Sequence, residues 1–305
     1  MRIGQVELKN NLVFAPIAGY SDAAMRYLAR KYGAGLTYTE MVSVKGLYYG
    51  GNTKFLLEKL DDETPSAVQL FGSDPEVFRK VVKFEEVQKF DIIDINMGCP
   101  VRKIVSNGDG SALMDNPTLV SEIVAAAKES KKAVTVKFRI GHLTDSVLDC
   151  AVMAQKGGAD AVTVHGRRQI EFYSGVADHS YAREVKKAVQ IPVIVNGDIN
   201  SKESYKKALA ESGADGAMVA RAAVGRPFIF SEILDLPFSK NVKNDVLTQI
   251  EIAKNFYPQN VLVGIMKKHL LAYAKTAELP KKTNLVFTSF TDFDDMMKAV
   301  DEYFV

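Results

Sequence analysis

The sequence predicts a (β/α)8 TIM barrel followed by a small C-terminal all-α helical domain. Three observations carry that expectation: eight short, β-branched apolar runs, helical stretches between consecutive runs, and a change of pattern after about Phe238, beyond which strand-like alternation does not recur.

The runs cover residues 12–15, 36–40, 67–71, 92–96, 134–138, 161–165, 192–196 and 216–220. They are apolar on both faces, as parallel strands covered by helices are. Asp74 before Pro75 and Asn116 before Pro117 place a capping residue ahead of a proline at the first helical position. Ser201 opens a further helix, and the pairs Gly33-Ala34, Gly158-Ala159 and Gly213-Ala214 close helices just before the next run. No G-x-G-x-x-G follows the first run, so the repeated units favour a closed barrel over an open dinucleotide-binding sheet. Beyond the barrel, 246–257, 261–277 and 293–304 read as helices interrupted by Pro258 and Pro280. The expected division is a catalytic barrel over 1–238 and a helical domain over 239–305.

The bulk numbers bound the function. The chain has 305 residues, 47% hydrophobic and 25% charged, with 39 Lys and Arg against 37 Asp and Glu. A net charge of +2 does not mark the whole chain for a polyanion, although a local basic patch remains open. Two cysteines, Cys99 and Cys150, make no disulfide framework and suit a reducing compartment. The first ten residues hold no signal-peptide core, and no apolar run approaches the ~20 residues of a membrane helix. The expectation is a soluble cytoplasmic protein without a membrane partner.

Most of the runs end in a polar residue: Glu40, Gln69, Asn96, Lys137, His165, Asn196, Arg221. In this fold the C-terminal strand ends form the active-site mouth. At one side, Asn196-Gly197-Asp198 and Ala220-Arg221-Ala222 follow strands seven and eight, where such barrels hold phosphates; small residues admit the anion to backbone N–H groups, and Arg221 can pair with it. Two ordinary small-residue turns are the plainer reading. Lys137 occupies a buried-looking strand position and needs an anion, either a neighbouring carboxylate or the N1/O2 edge of a reduced flavin. Gln69 and His165 can hydrogen-bond the polar edge of such a ring, while His165 alone also reads as a satisfied core histidine.

Cys99 stands apart from most free cysteines. It follows Gly98, precedes Pro100 and lies near Arg102 and Lys103, surroundings that make a thiol accessible and reactive. Cys150, inside a helical run, reads as an inert core residue. The glycine-containing loop 101–115 reads as a mobile cover. His142, His165, His179 and His269 are scattered, with no C-x-x-C or H-E-x-x-H, so no metal is expected. The absence of G-x-S-x-G argues against a serine hydrolase.

Taken in order, several segments resemble the flavin-dependent tRNA-dihydrouridine synthases across nearly the whole barrel. They are Ala15-Pro16-Ile17-Ala18-Gly19-Tyr20-Ser21-Asp22 with Arg26, Thr39-Glu40-Met41, Val68-Gln69-Leu70-Phe71-Gly72, and Asn96-Met97-Gly98-Cys99-Pro100 with Lys103. Gly110-Ser111-Ala112-Leu113, Val136-Lys137-Phe138-Arg139, Val164-His165-Gly166-Arg167, Val195-Asn196-Gly197-Asp198 and Arg221-Ala222-Ala223 with Gly225-Arg226-Pro227 continue the match. Near the C-terminus it is looser, at Lys268-His269 and Asp301-Glu302-Tyr303-Phe304.

The resemblance implies FMN as cofactor, NADPH as reductant and a uridine in tRNA as substrate. Pro16, Ile17 and Ala18 would lie along the flavin. Gln69, Lys137 and His165 would contact its ring, and Asn196, Gly197, Asp198, Ala220 and Arg221 would hold its phosphate end. Asn96, Lys103 and Arg167 would face the substrate. Hydride would pass from flavin N5 to uracil C6, and Cys99 would give a proton to C5. Lys267, Lys268, Lys275, Lys281 and Lys282, with Arg167 and Arg168, would follow the RNA backbone, unless they are simply solvated.

The chain departs from the family pattern at Ile17, where methionine is usual, and at Ala220, where glycine is usual. It departs again in the stretch from Arg168 to His179, which is expected to face substrate and leaves the target uridine open. A flavin enzyme acting on a free pyrimidine, like a dihydroorotate dehydrogenase, is the nearest alternative. A non-catalytic RNA-binding protein on the same scaffold is another.

Overall fold

The computed structural model describes residues 1–305. A short hairpin, β1 (Arg2–Ile3) and β2 (Val6–Glu7), precedes eight parallel strands: β3 (Leu12–Phe14), β4 (Leu36–Ser43), β5 (Ser66–Phe71), β6 (Ile92–Met97), β7 (Ala133–Phe138), β8 (Ala161–His165), β9 (Val193–Asn196) and β10 (Gly216–Val219). They pair in sequence order, and β10 returns to β3 through Ala217 opposite Leu12, which closes the barrel. Every expected strand is present. The largest boundary difference is in β4, which runs on to Ser43 past a register irregularity between Tyr38 and Met41.

The two-residue period of a strand explains how the barrel is filled. Val68, Leu70, Ile93, Ile95, Val134, Val136, Val162, Val164, Val193 and Val195 point outward and pack beneath the helices. The alternate positions point into the lumen. Near the N-terminal ends these are apolar, with Ala67, Ile92, Ala133, Ala161, Ile194 and Met218 packed around Ile3 and Leu8 of the hairpin segment, which plugs that end. Toward the C-terminal ends the lumen positions turn polar: Gln69, Asp94, Asn96, Lys137, His165 and Asn196. The same alternation that builds the core therefore gathers the polar groups at one mouth.

The covering and appended helices are α1 (Ala23–Lys31), α2 (Val44–Tyr48), α3 (Pro75–Val81), α4 (Glu85–Gln88), α5 (Arg102–Val105), α6 (Pro117–Lys128), α7 (Val147–Lys156), α8 (Ser180–Ala188), α9 (Lys202–Ser212) and α10 (Ile229–Leu234), followed by α11 (Val242–Ala253), α12 (Gln259–Thr276), α13 (Thr283–Ser289) and α14 (Phe293–Tyr303). The capping signals act as expected: the side chains of Asp74, Asn116 and Ser201 accept first-turn N–H groups of α3, α6 and α9.

The C-terminal region holds four helices rather than the expected three. The helix α13 buries only Thr283 and Phe287, too few positions to show a period in the sequence. The helix α11 starts four residues before the expected 246 because the Asn241 side chain caps it, accepting from Asn244 N at 2.8 Å. Ala24 and Leu28 of α1 join the apolar core of this region. No helix is long and apolar enough to cross a membrane.

The loop 101–115 is more structured than the expected cover. It contains α5 and a 3-10 turn, Gly110–Asp115, whose Ser111, Leu113 and Met114 are buried. Ser111 N donates to Cys99 O at 3.1 Å. Residues 101–108 stay at the surface, while most of 109–114 is packed beneath.

Candidate active site

The C-terminal mouth of the barrel opens into a cavity of about 730 Å³. Every residue singled out from the sequence as a site residue lines it except Lys103. That lysine sits exposed on α5, outside the cavity lining.

A hydrogen-bonded chain runs across the lumen from Thr135 to Cys99. Asp94 accepts from Thr135 Oγ1 at 2.5 Å and from Gln69 Nε2 at 2.7 Å. Gln69 Oε1 accepts from Asn96 Nδ2 at 2.9 Å, and Asn96 Oδ1 accepts the backbone N–H of Cys99 at 2.9 Å. Asp94 is fully buried, and burial pushes its carboxyl up to about 7; hydrogen bonds from Thr135 and Gln69, and the charge of Lys137, work the other way. In the sequence Asp94 is one polar residue in an apolar strand, with nothing to mark its role.

Cys99 is 7% exposed. Burial raises its thiol above the ordinary range, with the Val101 N–H and the Arg139 charge opposing. The group is a thiol at neutral pH, and Arg102 and Lys103, both exposed, do not make it a thiolate. Gly98 brings the thiol's loop hard against the next strand: a Cβ there would meet Arg139 N at 3.1 Å and Phe138 C at 3.2 Å.

Lys137 projects into the lumen with Asn196 Oδ1, at 3.1 Å, as its hydrogen-bond partner and no carboxylate within ion-pair reach. Burial and then the charge of Arg139 push it down to about 8. A half-buried ammonium facing a cavity with no ion-pair partner is what a site for an anionic ring edge requires. The donors around it agree with a flavin. Gln69 presents its carboxamide and His165 its imidazole. Arg167 Nη1 lies 3.3 Å from His165 Nε2 and can only donate, so Nε2 accepts and Nδ1 carries the proton. Burial, then Lys137, Arg139 and Arg167, hold His165 well below its ordinary value, so it is neutral.

At the other side, Gly197 takes φ +122°, and the turn into Asp198 sits beside Ala220, Arg221 and Ala222. The Asp198 carboxylate is occupied by Arg167 at 2.7 and 2.9 Å and by Ala177 N at 2.8 Å. Asp198 thus offers this end its backbone rather than its charge. Arg167, read from the sequence as facing substrate, lines the cavity, but its guanidinium also braces the carbonyls of Ser174 and Gly175, each at 2.9 Å. His179 backs the turn, with Nε2 3.0 Å from Gly197 O.

Two cavity-lining neighbours, Arg139 and Tyr173, were given no role from the sequence because they lie beyond the strand ends. Arg139 donates to Gly98 O at 2.9 Å and to Phe172 O at 2.8 Å, tying the Cys99 loop to the loop after β8. Tyr173 stands at the mouth, with the Arg221 guanidinium 4.8 Å from its ring centre. Of the lysines in the C-terminal region, Lys268 lies over the Tyr20 ring, Lys267 over the Phe290 ring, and Lys275 lines the cavity.

The chain matches the dihydrouridine synthase (Dus) family over residues 13–302. The chain belongs to that family. It is an enzyme, an oxidoreductase acting on a CH–CH bond, and dihydrouridine formation is its reaction. Among similar proteins, a probable tRNA-dihydrouridine synthase of Rickettsia conorii is 37% identical over 304 residues, covering 94% of this chain and 92% of its own. The tRNA-dihydrouridine synthase B of Vibrio parahaemolyticus is 35% identical over 317 residues, covering 100% of this chain and 98% of its own. Among solved structures, a histamine dehydrogenase from Rhizobium sp. 4-9 superposes with a TM-score of 0.58 at 15% identity, over 83% of this chain and 50% of that one. A 2-naphthoyl-CoA reductase gives 0.59 at 12% identity, over 77% and 51%. At those identities the likeness speaks to the barrel alone.

Proposed function

We propose that the enzyme reduces the C5–C6 double bond of a uridine in tRNA, with FMN seated in the barrel mouth, NADPH as reductant and Cys99 as the proton donor to C5. The observation that carries this reading is the shared cavity: a buried thiol that keeps its proton and a half-buried ammonium with no ion-pair partner line the same space. The tRNA substrate is supported by the full-length relatives named for that activity. The cytoplasm is the setting that substrate implies.

When bound, FMN supplies the hydride that goes to C6. Lys137, Gln69 and His165 would hold its ring, while the backbone of Gly197, Asp198 and Ala220, with Arg221, would hold its phosphate end. Pro16, Ile17 and Ala18 would lie along it. Lys137 is placed to balance negative charge at the ring edge without reorganising, which is how preorganised sites act. Cys99 gives its proton to C5 from the far side of the uracil. Burial keeps it protonated until that moment, and Arg139 beside it stabilises the thiolate left behind.

The target base is stacked in folded RNA and must be extruded, at a cost of about a few kcal/mol that contacts at the mouth offset. Residues 1–238 carry the chemistry in this reading, and 239–305 carry RNA contacts. Cys99→Ala tests the mechanism: it should keep the flavin spectrum and its reduction by NADPH but lose tRNA-dependent reoxidation. Full turnover by that variant would remove Cys99 as donor. Reoxidation by orotate instead of tRNA would favour the free-pyrimidine alternative.

A further inference from the structure

Lys275 is the one residue of the C-terminal helices that lines the barrel cavity. Its place follows from the register of α12. Residues 268, 272 and 275 are four and then three apart, so they share one helix face. Lys268 at the first position lies over the ring of Tyr20, in the loop after β3, at 5.1 Å. Ala272 at the second abuts the turn after β10: a Cβ on Gly225 would meet Ala272 C at 2.4 Å. The stripe therefore lies across the rim from the first strand to the last, and Lys275 comes out on the cavity that Arg221 and Ala222 also line.

The charges at that spot are unbalanced. Arg221 is shared with Asp198 at 3.5 Å and with the face of Tyr173. Lys275 makes no ion pair and no side-chain hydrogen bond, although α12 holds its backbone in place. Lys275 is exposed at the rim, yet it lines the cavity mouth and has no carboxylate partner there. What suits an unpaired ammonium that shares a cavity mouth with an arginine and small-residue turns is a phosphate oxyanion.

We propose that Lys275 is a phosphate ligand contributed by the helical region to the mouth of the barrel, completing with Arg221 a site built from both parts of the chain. The inference rests on the FMN and RNA reading above, since either the flavin's phosphate or a phosphodiester next to the target uridine supplies this chemistry. It makes retention of a phosphate-bearing ligand depend on how α12 is docked.

The test compares the full-length native chain with Lys275→Met and Lys275→Arg. Flavin-depleted protein is titrated with FMN and with riboflavin, which differ only in the phosphate, and the holoenzyme is titrated with tRNA. If the flavin phosphate is the ligand, Lys275→Met lowers FMN affinity about tenfold, leaves riboflavin affinity unchanged, and Lys275→Arg restores most of the loss. If an RNA phosphodiester is the ligand, the FMN-to-riboflavin ratio stays native and tRNA affinity falls about tenfold, well beyond the effect of Lys281→Met. Both results support Lys275 as a phosphate ligand and say which phosphate. An unchanged flavin ratio with a tRNA loss no larger than that of Lys281→Met overturns the proposal. A native chain that binds neither FMN nor riboflavin would instead sink the flavin reading itself.

Discussion

The Asn96 carboxamide oxygen accepts from the backbone N–H groups of both Cys99, at 2.9 Å, and Gly98, at 3.1 Å. Its orientation is imposed from below. One Asp94 oxygen accepts from Thr135 and the other from Gln69, so Gln69 turns its NH2 toward Asp94. Gln69 Oε1 then faces Asn96, which must present its own NH2 and leave Oδ1 for the Cys99 loop. The geometry of the thiol is thus set three side chains away.

Breaking and conserving this chain should separate cleanly. Asn96→Ala leaves two backbone N–H groups without their acceptor and should cost about 1–3 kcal/mol in urea unfolding. It should also slow uridine reduction tenfold or more in single turnover, with the flavin still bound. Asp94→Asn can accept from Gln69 through its oxygen and donate to Thr135, so it should preserve the loop and most of the rate. Equal damage from both variants would mean that charge at Asp94, and not amide orientation, is what matters.

Much of this site is written in the strands. Gln69, Asn96, Lys137, His165 and Asn196 are legible because a strand's period sends alternate residues into the lumen and a barrel's chemistry sits at its C-terminal strand ends. The contributions of Arg139, Tyr173 and Lys275 are not legible that way. Arg139 and Tyr173 lie past the strand ends, where loop path decides direction. Lys275 reaches the cavity only because α12 packs on a turn some fifty residues earlier in the chain.

The two thiols should differ in reactivity. Cys99 touches the cavity, whereas Cys150 is wholly buried, donates to Met114 O at 3.4 Å and is pushed up to about 12 by burial. Iodoacetamide should label Cys99 slowly at pH 7, faster as the pH rises past 9, and leave Cys150 untouched in the folded protein. Mass spectrometry of tryptic peptides reads both. A labelling rate at Cys99 already at its plateau by pH 7 would mean a resting thiolate, which is no proton donor.

Lys137 should leave a signature in the pH dependence of stability. Burial first, then Arg139, lower it from 10.5 to about 8 in the folded chain, with Asp94 opposing. Between those values the unfolded chain holds a proton that the folded one has lost, so stability rises with pH across the window and the full cost is borne below it. For this residue the change is on the order of 3 kcal/mol. Flavin-depleted native protein should therefore gain stability relative to Lys137→Met from pH 8 to 10.5 in urea melts. A bound anion beside the ammonium should flatten that difference. Parallel curves for the two proteins would show that Lys137 is not the strained charge described here.

Gly225→Ala should report on the joint between the two parts of the chain. The residue takes φ +70°, where a side chain costs about 1–2 kcal/mol. A Cβ would also stand 2.4 Å from Ala272 C and 2.7 Å from its carbonyl oxygen, both backbone atoms that cannot swing aside. The helix α12 must then lift from the turn after β10. The expected total is about 2–4 kcal/mol of lost stability, measured by denaturant unfolding. Because the lifted helix carries Lys275, the variant should lose affinity for the same phosphate-bearing ligand that Lys275→Met loses, although its own side chain touches none of it. Stability within about 0.5 kcal/mol of native would show that the turn yields without moving the helix, and the binding loss should then vanish as well.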